Sequence, residues 1–292
     1  MIARFLPRIT PRTRTLMLAG GAFLLVFVLW QWSSQTVLLY PLRLFVTFVH
    51  ETGHGLTALI TGGRFDHFEV LSNGAGVAYT AGGSHFLVLQ MGYLGAALFG
   101  AVLLYAANRV QRVNAVAAIV GLFFASCAVL FTGSGRIALL AGTVCAVVLW
   151  LLSDRFKRWQ GVLRALAALA VFLTVVLLGS EVALAVGIIG GALLIALGIY
   201  ASRPVTIFVL NILAFITGFN AINDVWSLMS NRMASLGTTR NDALAMAQFT
   251  NVPVELWIVL WTGLAIIMMG IAIYLSFIRS RSPDVRGDGG TI

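Results

Sequence analysis

Apolar residues fall into nine runs, each near the length of about 20 residues that a helical membrane span requires. They cover 16–32, 37–61, 85–107, 114–132, 137–152, 163–179, 182–201, 204–229 and 254–278, with 137–152 and 163–179 the shortest. The pattern predicts an all-α polytopic membrane protein of about eight or nine transmembrane helices. Two interruptions are long enough to hold structure of their own. In 62–84, the β-prone pieces Phe65–Leu71 and Val77–Thr80 flank Asn73-Gly74, a pair suited to a tight turn, and so predict a short β-hairpin. In 230–253, Asn241 or Asp242 is placed to cap a short helix, ALAMAQF, that stops before Asn251-Val252-Pro253. The chain therefore divides into a basic arm (1–15), a single membrane-embedded domain (16–278) and a polar, Gly-bearing tail (279–292).

Composition narrows the class further. The 292 residues are 60% hydrophobic and 10% charged, against about 45–50% and about 25% in soluble domains. Mean hydropathy is +0.96. These values exclude an ordinary soluble enzyme, a disordered chain and a secreted disulfide scaffold. The net charge of +9 comes from 18 arginines and one lysine against ten acids. Because the bases stand at the ends of apolar runs, they read as membrane flanks rather than as a nucleic-acid surface. If nine spans alternate, Arg109, Arg112, the run Asp154-Arg155-Phe156-Lys157-Arg158, Arg203 and the tail fall on one side, and the four arginines of the N-terminal arm on the other. No small-residue cleavage site follows the first run at Trp30–Ser34, so the basic start reads as an uncleaved anchor, and the expected location is the plasma (inner) membrane of a bacterium. Cys127 and Cys145 lie inside apolar runs and read as packing residues.

Against this background one cluster carries chemistry. Inside the second run stand His50-Glu51-Thr52-Gly53-His54, an H-E-x-x-H pattern that chance would produce on the order of once in a thousand such sequences. Positions i and i+4 share a helix face, so both imidazoles can reach one metal ion, and zinc suits them. Glu51 is turned about 100° away, where a carboxylate can act on a water rather than serve as a ligand. Two packing histidines beside a glutamate would be a costly alternative, because ionisable groups inside a bilayer need a strong partner.

A third ligand must come from elsewhere in the chain. Asp224 stands deep in the run 204–229, and Thr217, Asn220, Asp224 and Ser227 recur three and four apart as one polar stripe. Asp224 is therefore the expected ligand, Asp242 the reserve, and Asn220 a candidate for holding substrate or the oxyanion. Glu181 reads as an acid at a helix start, and His67 and His85 as interfacial polar residues.

The motif His50-Glu51-Thr52-Gly53-His54-Gly55, then Thr61-Gly62-Gly63, a glycine-bearing β segment, Gly92-Tyr93-Leu94-Gly95 and a late membrane aspartate resemble the site-2 protease family of intramembrane zinc metallopeptidases (peptidase family M50), closest to its compact branch without a PDZ domain. The resemblance implies one zinc held by His50, His54 and Asp224, with Glu51 as catalytic acid/base and membrane proteins as substrates. It also implies that a substrate helix is unwound before cleavage, for which the edge of the hairpin offers a place for an extended strand. The family's late Pro and Gly are missing around Asn223-Asp224-Val225, which keeps open a non-catalytic membrane scaffold or chaperone. An ion-coupled transporter is the third reading, though no internal repeat of the transporter kind is visible.

Overall fold

The computed structural model describes residues 11–31, 39–71, 73–133, 135–178, 182–230 and 242–279. It is a helical bundle in which most apolar runs become helices: α1 (Pro11–Gln31), α2 (Tyr40–Ile60), α5 (Val113–Phe131), α6 (Gly135–Arg155), α7 (Gln160–Leu178), α8 (Val182–Tyr200) and α9 (Arg203–Ser230). The run 85–107 is not one helix. It breaks at Met91-Gly92 into α3 (His85–Gln90) and α4 (Tyr93–Arg109). The polar 230–253 stretch contains α10 (Asp242–Thr250), and Pro253 precedes α11 (Val254–Ile273), which runs on into a π-helical turn, Tyr274–Ile278.

Among the described residues four stretches are long and apolar enough to cross a bilayer: Val113–Phe131, Val182–Tyr200, Arg203–Asn220 and Val254–Ile278. Their outward faces carry large apolar side chains, such as Ile119, Leu193 and Ile267. A soluble protein does not leave an apolar belt of this kind in water, and a bilayer covers it. The chain is an integral membrane protein.

Apolar helices in lipid gain little from hiding one another's apolar surface, so close approach and hydrogen bonds hold such bundles together. α5 and α8 meet through glycine. A β-carbon on Gly121 would lie 2.5 Å from the Gly191 carbonyl, and one on Gly191 would lie 2.6 Å from the Gly121 carbonyl. α4 meets α9 where Gly100 faces the Ala214 carbonyl and Gly218. Polar clamps add to this. Asn108 donates to Asn211 Oδ1 at 2.7 Å between α4 and α9, and Asn114 donates to the Gly198 and Ala201 carbonyls at 3.2 and 2.9 Å.

Two apolar clusters result among the described residues. The larger surrounds α2, where Phe48 is fully buried and stacks on Phe124 at 5.1 Å and edge-on against Phe68 at 4.9 Å. The smaller joins Leu89 of α3, Ala243 and Met246 of α10, and Trp257, Ile258 and Trp261 of α11.

The expected hairpin forms from β1 (Arg64–Val70) and β2 (Gly76–Ala81), antiparallel, with an irregularity between Phe65 and His67. Gly74 in its turn has φ +89°, a backbone state that glycine adopts without strain. One face of α2 anchors the hairpin: Arg43 donates to the Asn73 carbonyl at 2.9 Å, and one turn later Thr47 donates to the Gly74 carbonyl at 2.7 Å. On the other side of the sheet, Phe68 bridges to Thr132 at the end of α5.

Candidate metal centre

α2 places His50 and His54 one turn apart, and their Nε2 atoms face each other at 3.1 Å. The first residue of α10 completes a triangle: Asp242 Oδ2 lies 3.0 Å from His50 Nε2 and 3.2 Å from His54 Nε2. These three residues form a group able to hold a metal ion. A tetrahedral zinc with bonds of about 2.0–2.1 Å requires ligand atoms roughly 3.3 Å apart, so the triangle is close to the required size. Two imidazoles and a carboxylate are also the donor set of a catalytic zinc that keeps one position open.

Two backbone features fit the same use. The Val88 carbonyl accepts the Nδ1–H of His54 at 2.6 Å, which fixes the tautomer and leaves Nε2 with its lone pair. Gly92 lies where a β-carbon would stand 2.3 Å from His50 Nε2 and 2.4 Å from His54 Nε2. The break between α3 and α4 supplies both features, because a straight helix through 85–107 would not turn the Val88 carbonyl and the Gly92 backbone onto the rings. Tyr93 lies edge-to-face on His50 at 4.6 Å, and the Trp261 ring lies 5.8 Å from it.

Glu51 is buried and turned toward the hairpin, where its carboxylate accepts the backbone N–H of Ala78. A β-carbon on Gly76 would lie 2.4 Å from Glu51 Oε1. Burial by itself raises the pKa of Asp242, but the facing imidazoles, His54 foremost, outweigh it and hold the carboxyl well below the ordinary carboxylate range.

Of the candidates named from the sequence, the structure brings His50, His54 and Asp242 together, with Glu51 beside them. The side chain of Asp224 lies outside the described residues, as do Glu181 and the side chain of Ser227. Asn220 is half-buried on α9. Thr217 is fully buried, and its hydroxyl bonds to the Leu213 carbonyl of its own helix at 2.6 Å. His67 stacks on Tyr79 at 4.2 Å and His85 packs edge-on against Phe249 at 5.0 Å; neither belongs to the metal-capable group. Gly76, Val88, Gly92, Tyr93 and Trp261 were not singled out as site residues. Only Gly92-Tyr93 gave a signal, as part of a glycine-rich helix.

No curated protein and no solved structure matches the chain. A family model described as Peptidase M50B-like matches residues 19–178, more than half of the 292. The match contains His50, Glu51, His54, the hairpin and the Gly92 break, and ends before Asp224 and Asp242. The chain belongs to the M50B-like peptidase family, within the site-2 protease group.

Proposed function

We propose that this protein is an intramembrane zinc endopeptidase that hydrolyses peptide bonds in or near the membrane spans of other membrane proteins, in the plasma membrane of a bacterium. His50, His54 and Asp242 hold the ion and Glu51 is the general acid/base. The observation that carries the reading is the triangle of ligand atoms with sides of 3.0, 3.1 and 3.2 Å. Asp242 takes the place that the sequence reading gives to Asp224, because among the described residues its carboxylate lies within reach of both rings.

Zinc bound there supplies Lewis acidity to a water and to the scissile carbonyl. The protein's own groups do the rest. Glu51, held by the Ala78 N–H, accepts a proton from the attacking water and returns it to the leaving amine. Val88 keeps His54 in the metal-binding tautomer. With β1 bridged to Thr132, β2 offers its outer edge beside Glu51, where an extended substrate segment can pair. Asn220 is a further candidate for holding substrate.

One observation favours the scaffold alternative: the late Pro and Gly that the resemblance leads one to expect are missing around Asn223-Asp224-Val225. Two measurements decide. Purified wild type is expected to hold about one zinc per chain, lost in His50→Ala/His54→Ala. Glu51→Gln is expected to keep zinc and to stop cleavage of a membrane-anchored substrate. Persistent cleavage removes Glu51 from the mechanism, and a metal-free wild type favours the scaffold.

A further inference from the structure

Between the apolar stretches of α6 and α7 the chain reads Ser153-Asp154-Arg155-Phe156-Lys157-Arg158-Trp159, with cations interleaved with two aromatic residues. α6 ends at Arg155, Lys157–Trp159 form a single 3-10 turn, and α7 begins at Gln160. The Trp159 N–H closes the turn by donating to the Phe156 carbonyl at 2.9 Å. Arg164, one turn into α7, reaches back across the joint. Its Nη2 donates to Asp154 Oδ1 at 3.2 Å, its Nε to Ser153 Oγ at 3.4 Å, and its guanidinium lies over the Trp150 ring at 5.0 Å.

Asp154 is thereby matched, and the tip keeps its remaining charge. Among the described residues no carboxylate pairs with Arg155, Lys157 or Arg158. Arg43, Arg64 and Arg109, by contrast, are engaged by the Asn73 carbonyl, by Asp66, and by the Leu275 and Arg279 carbonyls. All three tip cations are exposed, and so are Phe156 at 54% and Trp159 at 57%.

The helices behind the tip say what surrounds it. α6 and α7 meet through small side chains: Ala146 and Ala167 are buried, and Gly142 faces Thr174. Large apolar side chains such as Leu140, Val144, Leu151, Val162, Leu166 and Leu169 are left on the outside, where lipid covers them. The tip stands where this apolar face ends. Tryptophan settles at the boundary between acyl chains and headgroups, and guanidinium groups pair with phosphate oxygens two at a time. A nucleic acid or an acidic protein would meet the cations but leave Phe156 and Trp159 in water. A lipid with a charged headgroup takes both.

We propose that the α6–α7 tip is a binding site for anionic phospholipid, in which Arg155, Lys157 and Arg158 hold the headgroup phosphate and Phe156 and Trp159 enter the acyl boundary. The site requires neither zinc nor cleavage.

The full-length protein in neutral detergent, titrated with dansyl-labelled phosphatidylglycerol and read by energy transfer from tryptophan, tests this. Wild type is expected to bind saturably, with the label displaced by unlabelled phosphatidylglycerol but not by phosphatidylcholine or inorganic phosphate. Each juxtamembrane cation is worth about fivefold in affinity for an anionic surface, so Arg155→Gln/Lys157→Gln/Arg158→Gln is expected to bind about 100-fold more weakly. Arg64→Gln/Arg112→Gln/Arg203→Gln removes the same charge elsewhere and is expected to stay within about fivefold of wild type. Should the tip variant fail to accumulate, Lys157→Gln alone is read for its about fivefold loss. Equal loss in the two triple variants overturns the site in favour of diffuse charge. Displacement by phosphatidylcholine leaves only apolar contact, and displacement by inorganic phosphate makes the ligand a free anion; either result also overturns it.

Discussion

Gly92 faces His50 so closely that a β-carbon there would stand 2.3 Å from its Nε2, nearer than real side-chain atoms approach. The same carbon would lie 2.4 Å from His54 Nε2, so the missing side chain is the space into which both rings point. Gly92 has φ −64°, which alanine adopts without strain, so the substitution tests the space and not the backbone. Gly92→Ala is expected to bind zinc at least about tenfold more weakly while keeping its helical content. Gly95→Ala is the control, because a β-carbon there meets nothing closer than 3.5 Å. Zinc titration of both variants checks this; equal zinc affinity in Gly92→Ala and wild type would place the ion elsewhere.

The two aspartates separate in the same assay. Asp242→Asn leaves the imidazoles with one neutral amide in place of a carboxylate. It is expected to lower zinc affinity by more than the roughly 10–100-fold that loss of an outer partner costs. Asp224→Asn is expected to change zinc affinity less than Asp242→Asn. The opposite ranking would return the ligand role to the α9 stripe.

The sequence makes the local features readable and leaves the long-range ones hidden. H-E-x-x-H, the Asn73-Gly74 turn and the ALAMAQF helix are decided within a few residues by helix periodicity and turn chemistry, and each has a counterpart in the structure. Periodicity places Asp224 on a polar face of its helix but does not tell what that face meets, and the side chain of Asp224 lies outside the described residues. Thr217 illustrates the limit, since its hydroxyl is taken up by the Leu213 carbonyl in its own helix. Asp242 looks like a cap from its neighbours alone. Its approach to His50 spans 192 residues of sequence and depends on how α10 packs on α3 and α11. The break at Gly92 was hidden for a related reason: a glycine in an apolar run gives no sign that a backbone carbonyl is needed at His54.

Glu51 depends on another missing side chain. A β-carbon on Gly76 would meet Glu51 Oε1 at 2.4 Å and Thr47 Cγ2 at 2.7 Å, so Gly76→Val must displace either the carboxylate or the strand. The imidazoles lie on another face of α2 and are not touched. Cleavage is therefore expected to fall by about 10²–10⁴-fold, the range for loss of acid/base catalysis, with zinc retained. Loss of zinc in this variant would mean that the hairpin supports the rings as well as the base.

The smaller apolar cluster holds α10, and with it Asp242, in place. Trp257 donates to Thr250 Oγ1 at 3.0 Å, which ties α11 to the end of α10, and Trp261 donates to Gln90 Oε1 at 3.3 Å, which ties α11 to α3. Trp261 is fully buried and its ring backs Tyr93, which in turn lies against His50. Trp261→Phe removes the hydrogen bond but keeps most of the ring, at a cost of about 0.5–1.5 kcal/mol. Trp261→Ala also opens a cavity, at about 3–5 kcal/mol by analogy with soluble cores, and is expected to weaken zinc binding as Tyr93 and α10 shift. Phe215→Ala makes a comparable cavity in the other cluster, where Phe215 meets Phe23 at 5.6 Å. It is expected to lower Tm without changing zinc affinity. If both alanine variants lose zinc in proportion to lost stability, the cluster contributes general stability only; if Trp261→Ala alone loses it, the packing of α11 positions the ligands.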